Sequence, residues 1–518
     1  MSSKPRFFLA QAGLLLLCAI WIVPGLIGHA PWKGGDGDHF VTLWLWLQRG
    51  VPLGDTPPLY FWTAAATAWL TSPVLALADG ARLASGVFVA LALWFTARTA
   101  QALYGTEHRW AAALVLMGSV GLLVRGHELN AYTAQFAAAA IMLDGVARLP
   151  QGRHGGGLLA LGAALLLLAG AAAEAALFLV LAVALAAMVA AHRTPLARRA
   201  LAWGLAGALA FAVVWSTWLT VRQAALPTAL GLDRWIGFAN LRPLYYPGIL
   251  GWFAWPAWPL AVWALYRGRR QWRTAAIALP VLAFAGLLLL YAFAAHPGEE
   301  RGLVLLLPLS LLGAAGVLTL RRGAANALLW FAVMLFGFIA LLFWTYWSAH
   351  DLGMPARLAR RLIRFGVPDV GTLRPWAPVL GALLTLAWIA FLARIQRSPL
   401  RPALVWATGM TFIWTLLLAL FLAPLDRRLS YVSVAEELAA RVPPGACIQT
   451  HAMRSTQRLL LAYHSGRTLA PADLDCGWLL LETRSRGAAP HVPDTWVKQW
   501  EGARPGDRAD RFHLYVRH

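Results

Sequence analysis

The chain has 518 residues, 59% of them hydrophobic and only 13% charged, where an ordinary soluble chain carries about a quarter charged residues and slightly under half apolar ones. That balance excludes a disordered, collagen-like or disulfide-scaffold protein and a string of soluble domains, and it leaves a multi-spanning membrane protein. The 44 Lys and Arg outweigh the 23 Asp and Glu to give a formal charge of +21, which in a soluble protein would point to nucleic acid. Short cytoplasmic loops gather Lys and Arg for topological reasons, so no nucleic-acid partner is expected.

Crossing the hydrocarbon takes about 20 apolar residues. Candidate segments run over 7–27, 58–78, 82–104, 109–126, 130–149, 155–172, 174–191, 200–222, 248–267, 274–294, 302–320, 326–347, 374–394 and 403–423. With the N-terminus cytoplasmic behind Lys4 and Arg6 and with 58–78 excluded from crossing, one side collects Arg109, Arg148, Arg153, the 193–199 and 267–273 clusters, Arg321, Arg322, Arg394, Arg397 and Arg401. The opposite short connections hold only Arg301. If 58–78 crossed, the bias would invert, so thirteen spans are expected.

The segment 58–78 then lies along the interface on Tyr60, Phe61, Trp62 and Trp69, and 28–81 becomes one long external loop. The external segments 223–247 and 348–373 follow. The second carries Arg357, Arg360, Arg361 and Arg364, mostly on one helical stripe, as on a helix resting on anionic headgroups. The almost uncharged stretch 155–191 reads as a hairpin with Glu174 near its apex.

After Pro424 charged residues become frequent and apolar runs shorten to strand length. Helices are expected at 433–441, stopped by Pro443-Pro444-Gly445, and at 454–463, with strands at 446–449, 478–481 and 512–516. The expected organisation is a transmembrane domain over 1–423 and a small α/β domain over 424–518, external on this topology. Its Cys447 and Cys476 read either as a disulfide in an oxidising compartment or as two buried thiols, while Cys18 lies in the first span. No Cys/His spacing forms a zinc site, and no cofactor is assigned.

The first external loop opens with Pro31-Trp32-Lys33-Gly34-Gly35-Asp36-Gly37-Asp38-His39-Phe40. Two acids two positions apart offer a general base or a site for a divalent metal, while Gly-Asp-Gly-Asp is also ordinary turn chemistry. Then come Thr56-Pro57-Pro58-Leu59-Tyr60-Phe61-Trp62, the Ala81-Arg82-Leu83 entry to a helix, and a late Leu306-Leu307-Pro308-Leu309. These features in this order resemble the integral-membrane GT-C glycosyltransferases, and among them the bacterial aminoarabinose transferase branch of the protein O-mannosyltransferase-like superfamily.

The resemblance implies an all-α polytopic fold with a C-terminal α/β domain, in a bacterial inner membrane with that domain periplasmic. It implies a polyprenyl-phosphate sugar as donor, a membrane lipid, glycan or protein as acceptor, and a first-loop acid acting on the acceptor. Asp36 matches that acid; the glutamate that follows in the family is Gly37 here, with Asp38 as substitute. The family's cation before the Pro motif is Thr56, its second-loop aspartate position is Tyr132 with Glu128 or His127 in reserve, and its hairpin Lys-Gly is Glu174-Ala175. Two cations are thus absent, and the donor phosphate falls to Arg125, Arg301 or Lys33, with His39, Tyr60 and Glu174 as further substrate contacts. His127, His29 and His39 also read as ordinary satisfied polar residues, and Glu299-Glu300 as a solvated loop. The competing classes are a lipid-linked glycan ligase, a transporter and a non-catalytic relative; the sequence shows no internal repeat of the transporter kind.

Overall fold

A computed structural model describes residues 3–54, 56–222, 242–295, 297–364, 375–472, 474–484, 492–507 and 509–518. The expectations for most of 223–247, for the end of 348–373 and for the side chains of Lys4, Arg6 and Arg364 lie outside the described residues. The chain forms two compact units, neither contiguous in sequence: Met1–Ile27, Pro52–Phe338 and Leu386–Thr415 in one, and Gly28–Val51, Ile339–Thr385 and Leu416–His518 in the other. The helix Arg401–Leu429 runs through Pro424, and the first-loop motif belongs with the C-terminal segment.

The first unit is helical. Among the described residues of the whole chain, six helices are long and apolar enough to cross a membrane: Leu77–Tyr104, Pro195–Val221, Ala275–Ala292, Arg322–Asp351, Ala377–Arg394 and Arg401–Leu429. A bent pair adds a seventh if it is one crossing. The protein is therefore multi-pass, though length and composition vouch for fewer crossings than the thirteen expected. Helices Arg153–Leu168 and Ala172–Met188 form the 155–191 hairpin, each a few residues short of a straight span. The helix over 58–78 has 14 residues, Pro58–Thr71, or about 21 Å at the helical rise, well under a bilayer's hydrocarbon thickness.

Two expected spans are broken. The segment 109–126 is two helices, Arg109–Met117 and Val120–Arg125, because the Trp406 indole wedges at the break: a Cβ on Gly118 would lie 2.5 Å from it, and the Gly118 carbonyl accepts its N–H at 2.9 Å. The segment 248–267 becomes Tyr245–Phe253 and Ala257–Gly268, bent by 97° next to Pro256, whose missing N–H cannot continue the ladder. Elsewhere small residues let helices meet backbone to backbone, the packing that membranes favour. Gly162 lies against Met142, and Gly316 against the Leu260 carbonyl. The core of this unit includes the fully buried run Leu303–Leu307.

The second unit carries a five-stranded sheet in the order β2-β1-β3-β5-β4, built from β1 (Cys447–His451), β2 (Thr468–Ala470), β3 (Trp478–Arg484), β4 (Trp496–Gly502) and β5 (Asp510–Arg517). β1 pairs in parallel with β2 and β3, and β5 is antiparallel to β3 and β4. Helices Val432–Arg441 and Ser455–Ser465 complete the fold. Ile448, Leu460, Leu461, Leu480, Phe512 and Leu514 have no exposed surface and form its core. Cys447 and Cys476 are joined by a disulfide, their Cα atoms 5.2 Å apart.

Candidate functional site

In the first unit the Pro-Pro motif shapes the backbone around it. Pro57 packs on Gly170, where a Cβ would lie 2.3 Å from the proline ring and φ is +69°; only glycine meets both demands. The next aromatic, Tyr60, is 1% exposed and anchors a directed chain. The Asn130 N–H donates to its oxygen at 3.0 Å, the phenol donates to Ser85 Oγ at 2.8 Å, and Ser85 donates to the Glu128 carbonyl at 2.6 Å. Tyr60 therefore holds the 125–132 turn. Arg82 of the Ala-Arg-Leu entry, fully buried, binds Asp79 at 2.9 Å and the Leu26 carbonyl at 3.2 Å, closing the end of the first helix.

On that turn His127 is 3% exposed, packed at a tilt against Trp21 and Trp414 with ring centres 4.8 and 4.9 Å away. Its ring nitrogens face the Leu123 and Trp21 carbonyls at 2.9 and 2.8 Å. A neutral ring can donate to only one of them, and burial holds its pKa below the usual histidine value. His127 is a packing element. Arg125 binds Glu299 through two nitrogens at 3.2 and 2.7 Å and Glu128 at 3.1 Å, with Glu300 at 3.7 Å. Glu299 and Glu300 are thus not the solvated pair the sequence suggested. Three carboxylates already surround Arg125, which leaves it poorly placed for a donor phosphate.

Arg301 differs. It is 5% exposed, and its neighbours are phenols: it lies over the Tyr132 ring at 5.8 Å and faces Tyr246 and Tyr291. Tyr246 donates to the Gly298 carbonyl at 3.2 Å, and its ring lies 5.2 Å from that of Tyr291. Tyr291 in turn faces Glu174, which is 7% exposed in the first turn of its helix. Glu174 and Arg301 thus join one buried network of opposite charges bridged by phenols. The tyrosines at 132, 246 and 291 were invisible as a set, since Tyr246 falls in the external segment 223–247 and Tyr291 in an apolar stretch that read only as a span.

In the second unit the Gly-Asp-Gly-Asp motif forms no turn. It opens the helix Gly35–Arg49, placing Asp36 and Asp38 in its first turn, where the N-terminal dipole favours negative charge. Asp36 is 1% exposed and its Oδ2 accepts the Trp32 N–H at 2.7 Å. Asp38 is exposed. His39 Nδ1 lies 2.6 Å from the Gly35 carbonyl, and the His29 ring stacks on Trp32 at 4.1 Å. Exposed Lys33 lies 3.8 Å from Asp507. Gly37 has no room for the family's glutamate: a Cβ there would lie 2.7 Å from the Trp32 carbonyl oxygen and 2.8 Å from Leu460. Asp426, which the sequence reading passed over, accepts the Ala30 N–H and the Trp32 indole N–H, each at 3.0 Å.

Among the described residues no group of three His, Cys, Asp or Glu side chains is arranged to hold a metal ion.

The multi-pass helical chain with its small C-terminal sheet is similar in fold to solved membrane proteins. The solved structure of ArnT, an aminoarabinose transferase, from Cupriavidus metallidurans bound to undecaprenyl phosphate superposes with a TM-score of 0.63, at 16% identity over 99% of this chain and 98% of that one. Its apo form gives 0.59, at 16% identity over 91% and 86%. No protein-family model and no curated protein matches the sequence.

Proposed function

We propose that the protein is a membrane glycosyltransferase that moves a sugar from a polyprenyl-phosphate donor to an envelope acceptor, a glycolipid such as lipid A, a glycan or a protein, on the periplasmic face of a bacterial inner membrane. The observation that carries this reading is the likeness of fold along 99% of the chain to a transferase solved with undecaprenyl phosphate bound. The thirteen-span map, with the first loop and the C-terminal segment outside, belongs to the same proposal.

The reaction is a single displacement with inversion. The acceptor hydroxyl oxygen bonds to the anomeric carbon, the bond from that carbon to the donor phosphate oxygen breaks, and the hydroxyl proton passes to a carboxylate. Asp36 takes that role, its carboxylate oriented by the Trp32 N–H. Within the first unit Arg301 is the cation suited to hold phosphate oxygens, since its direct neighbours are phenols and no carboxylate pairs with it directly among the described residues. Of the three cations that the sequence offered for the donor phosphate, Arg125, Arg301 and Lys33, this reading favours Arg301.

The test is transfer by purified protein from a polyprenyl-phosphate sugar. Asp36→Asn keeps an acceptor for the Trp32 N–H, so the fold should persist while turnover falls by about two to four orders of magnitude. Full turnover in that variant removes Asp36 from the role. Vesicle uptake of free sugar by the wild type would favour a transporter instead.

A further inference from the structure

The helix Ala356–Arg364 lies in the second unit and has no part in the reaction above. At about 100° per residue, Arg357, Arg360 and Arg361 fall within one arc of about 100°, and Leu358, Ala359 and Leu362 within the arc opposite. The three arginines are exposed and the three apolar residues half-buried. Among the described residues no other element packs extensively against this helix.

The preceding helix, Arg322–Asp351, sets its depth. Its 30 residues span about 45 Å, the hydrocarbon plus both headgroup layers. With Arg322 in one headgroup layer, Asp351 reaches the other. The connection then folds back on the last turn: Ser348 Oγ donates to the Met354 carbonyl at 2.8 Å, and the Met354 N–H donates to the Ser348 carbonyl at 3.2 Å. The basic helix therefore starts at headgroup level. Leu352 and Met354 beside it are 62% and 68% exposed, which suits acyl chains better than water. The acid at this end, Asp351, faces His350 at 3.1 Å, and among the described residues it forms no ion pair with the arginine stripe.

We propose that this helix lies in the plane of the membrane and binds the phosphates of anionic phospholipid headgroups through Arg357, Arg360 and Arg361, with Leu358 and Leu362 turned toward the acyl chains. Arginine suits this because its planar fork takes two phosphate oxygens at once. The helix fastens the connection between the crossings Arg322–Asp351 and Ala377–Arg394 to the lipid surface.

The test uses the full chain with Cys18→Ser, a spin label at Leu358→Cys, and vesicles of phosphatidylcholine alone or mixed equally with phosphatidylglycerol. In the mixed vesicles the label should sit about 5–10 Å below the phosphates. It should be shallower in phosphatidylcholine alone and in the triple Arg→Gln variant, each arginine contributing roughly fivefold to partitioning. The triple Arg→Lys variant should keep most of the depth, and millimolar inorganic phosphate should not restore it in phosphatidylcholine. Native mass spectrometry of unlabelled protein should also show fewer retained phosphatidylglycerol molecules in the Gln variant. A label open to water in both vesicles, one equally deep in all variants, or one shielded from lipid and water by protein would overturn the proposal.

Discussion

A glycine can record a lost side chain as well as a flexible backbone. Gly37 stands where the resembling family has glutamate, and from sequence this is only a missing carboxylate. In the structure the Trp32 carbonyl oxygen occupies the place of its Cβ, so the glutamate cannot be restored. Gly37→Ala should lower stability by about 1–3 kcal/mol, the usual penalty for overpacking, and Gly37→Glu by more; thermal unfolding in detergent measures both. An unchanged midpoint for Gly37→Ala would mean that the Trp32 loop yields freely. The Trp32 partner of Asp36 is four positions away and so lies within the motif itself, whereas the supports of the same loop at Asp426 and Leu460 are hidden by distance in sequence. Arg125 was legible as a charge but not as a saturated one, because Glu299 is 174 positions away. Asp144, fully buried and paired with Arg148 at 2.7 Å and Arg98 at 3.2 Å, was hidden inside an apolar run for the same reason.

Among the elements, those with strong periodicity were legible and those whose shape is decided by a distant partner were not. The helices at 432–441 and 455–465 and strands β1, β3 and β5 fall where apolar runs and Pro443-Pro444-Gly445 indicated. β2 and β4 went unread: the first has three residues, and the second, Trp-Val-Lys-Gln-Trp-Glu-Gly, has mostly exposed positions and a register shift between Lys498 and Trp500. Breaks imposed by the Trp406 indole could not be seen at residue 118.

The helix Ser455–Ser465 carries its own prediction. Burial pushes His464 down to about 4, and its Nε2 is buried without a hydrogen-bond partner. The unfolded chain, with a histidine near 6.5, binds the proton first. The stability this group contributes is therefore complete above about pH 6.5 and is lost as pH falls toward 4, by roughly 2–3 kcal/mol. Glu482, whose carboxyl is raised by burial, responds in the opposite sense, so the comparison needs His464→Gln. That variant should show a flatter dependence of the unfolding midpoint between pH 4.5 and 6.5, and equal slopes would refute the assignment.

At the scale of the whole molecule the charge excess sorts by position. Its apparent message, affinity for nucleic acid, disappears once the basic residues are assigned to short connections between apolar segments, and the few carboxylates become the informative minority. The proposed map is checked by membrane-impermeant thiol labelling of single-cysteine variants in intact and opened spheroplasts. A cysteine at Arg199 should label only in opened ones and a cysteine at Arg511, exposed in the C-terminal segment, in both. The reverse pattern would turn the molecule over.

The contact between Ala30 and Asp426 joins positions 396 residues apart, and it bears on how the protein comes to life in time. A ribosome adding about 5–20 residues per second needs roughly 20–80 s to cover that interval. Until then the backbone ahead of Asp36 lacks the carboxylate that organises it. The nascent chain thus carries its proposed proton acceptor through most of membrane insertion without its final support, so a protein truncated before Asp426 should reach the membrane inert.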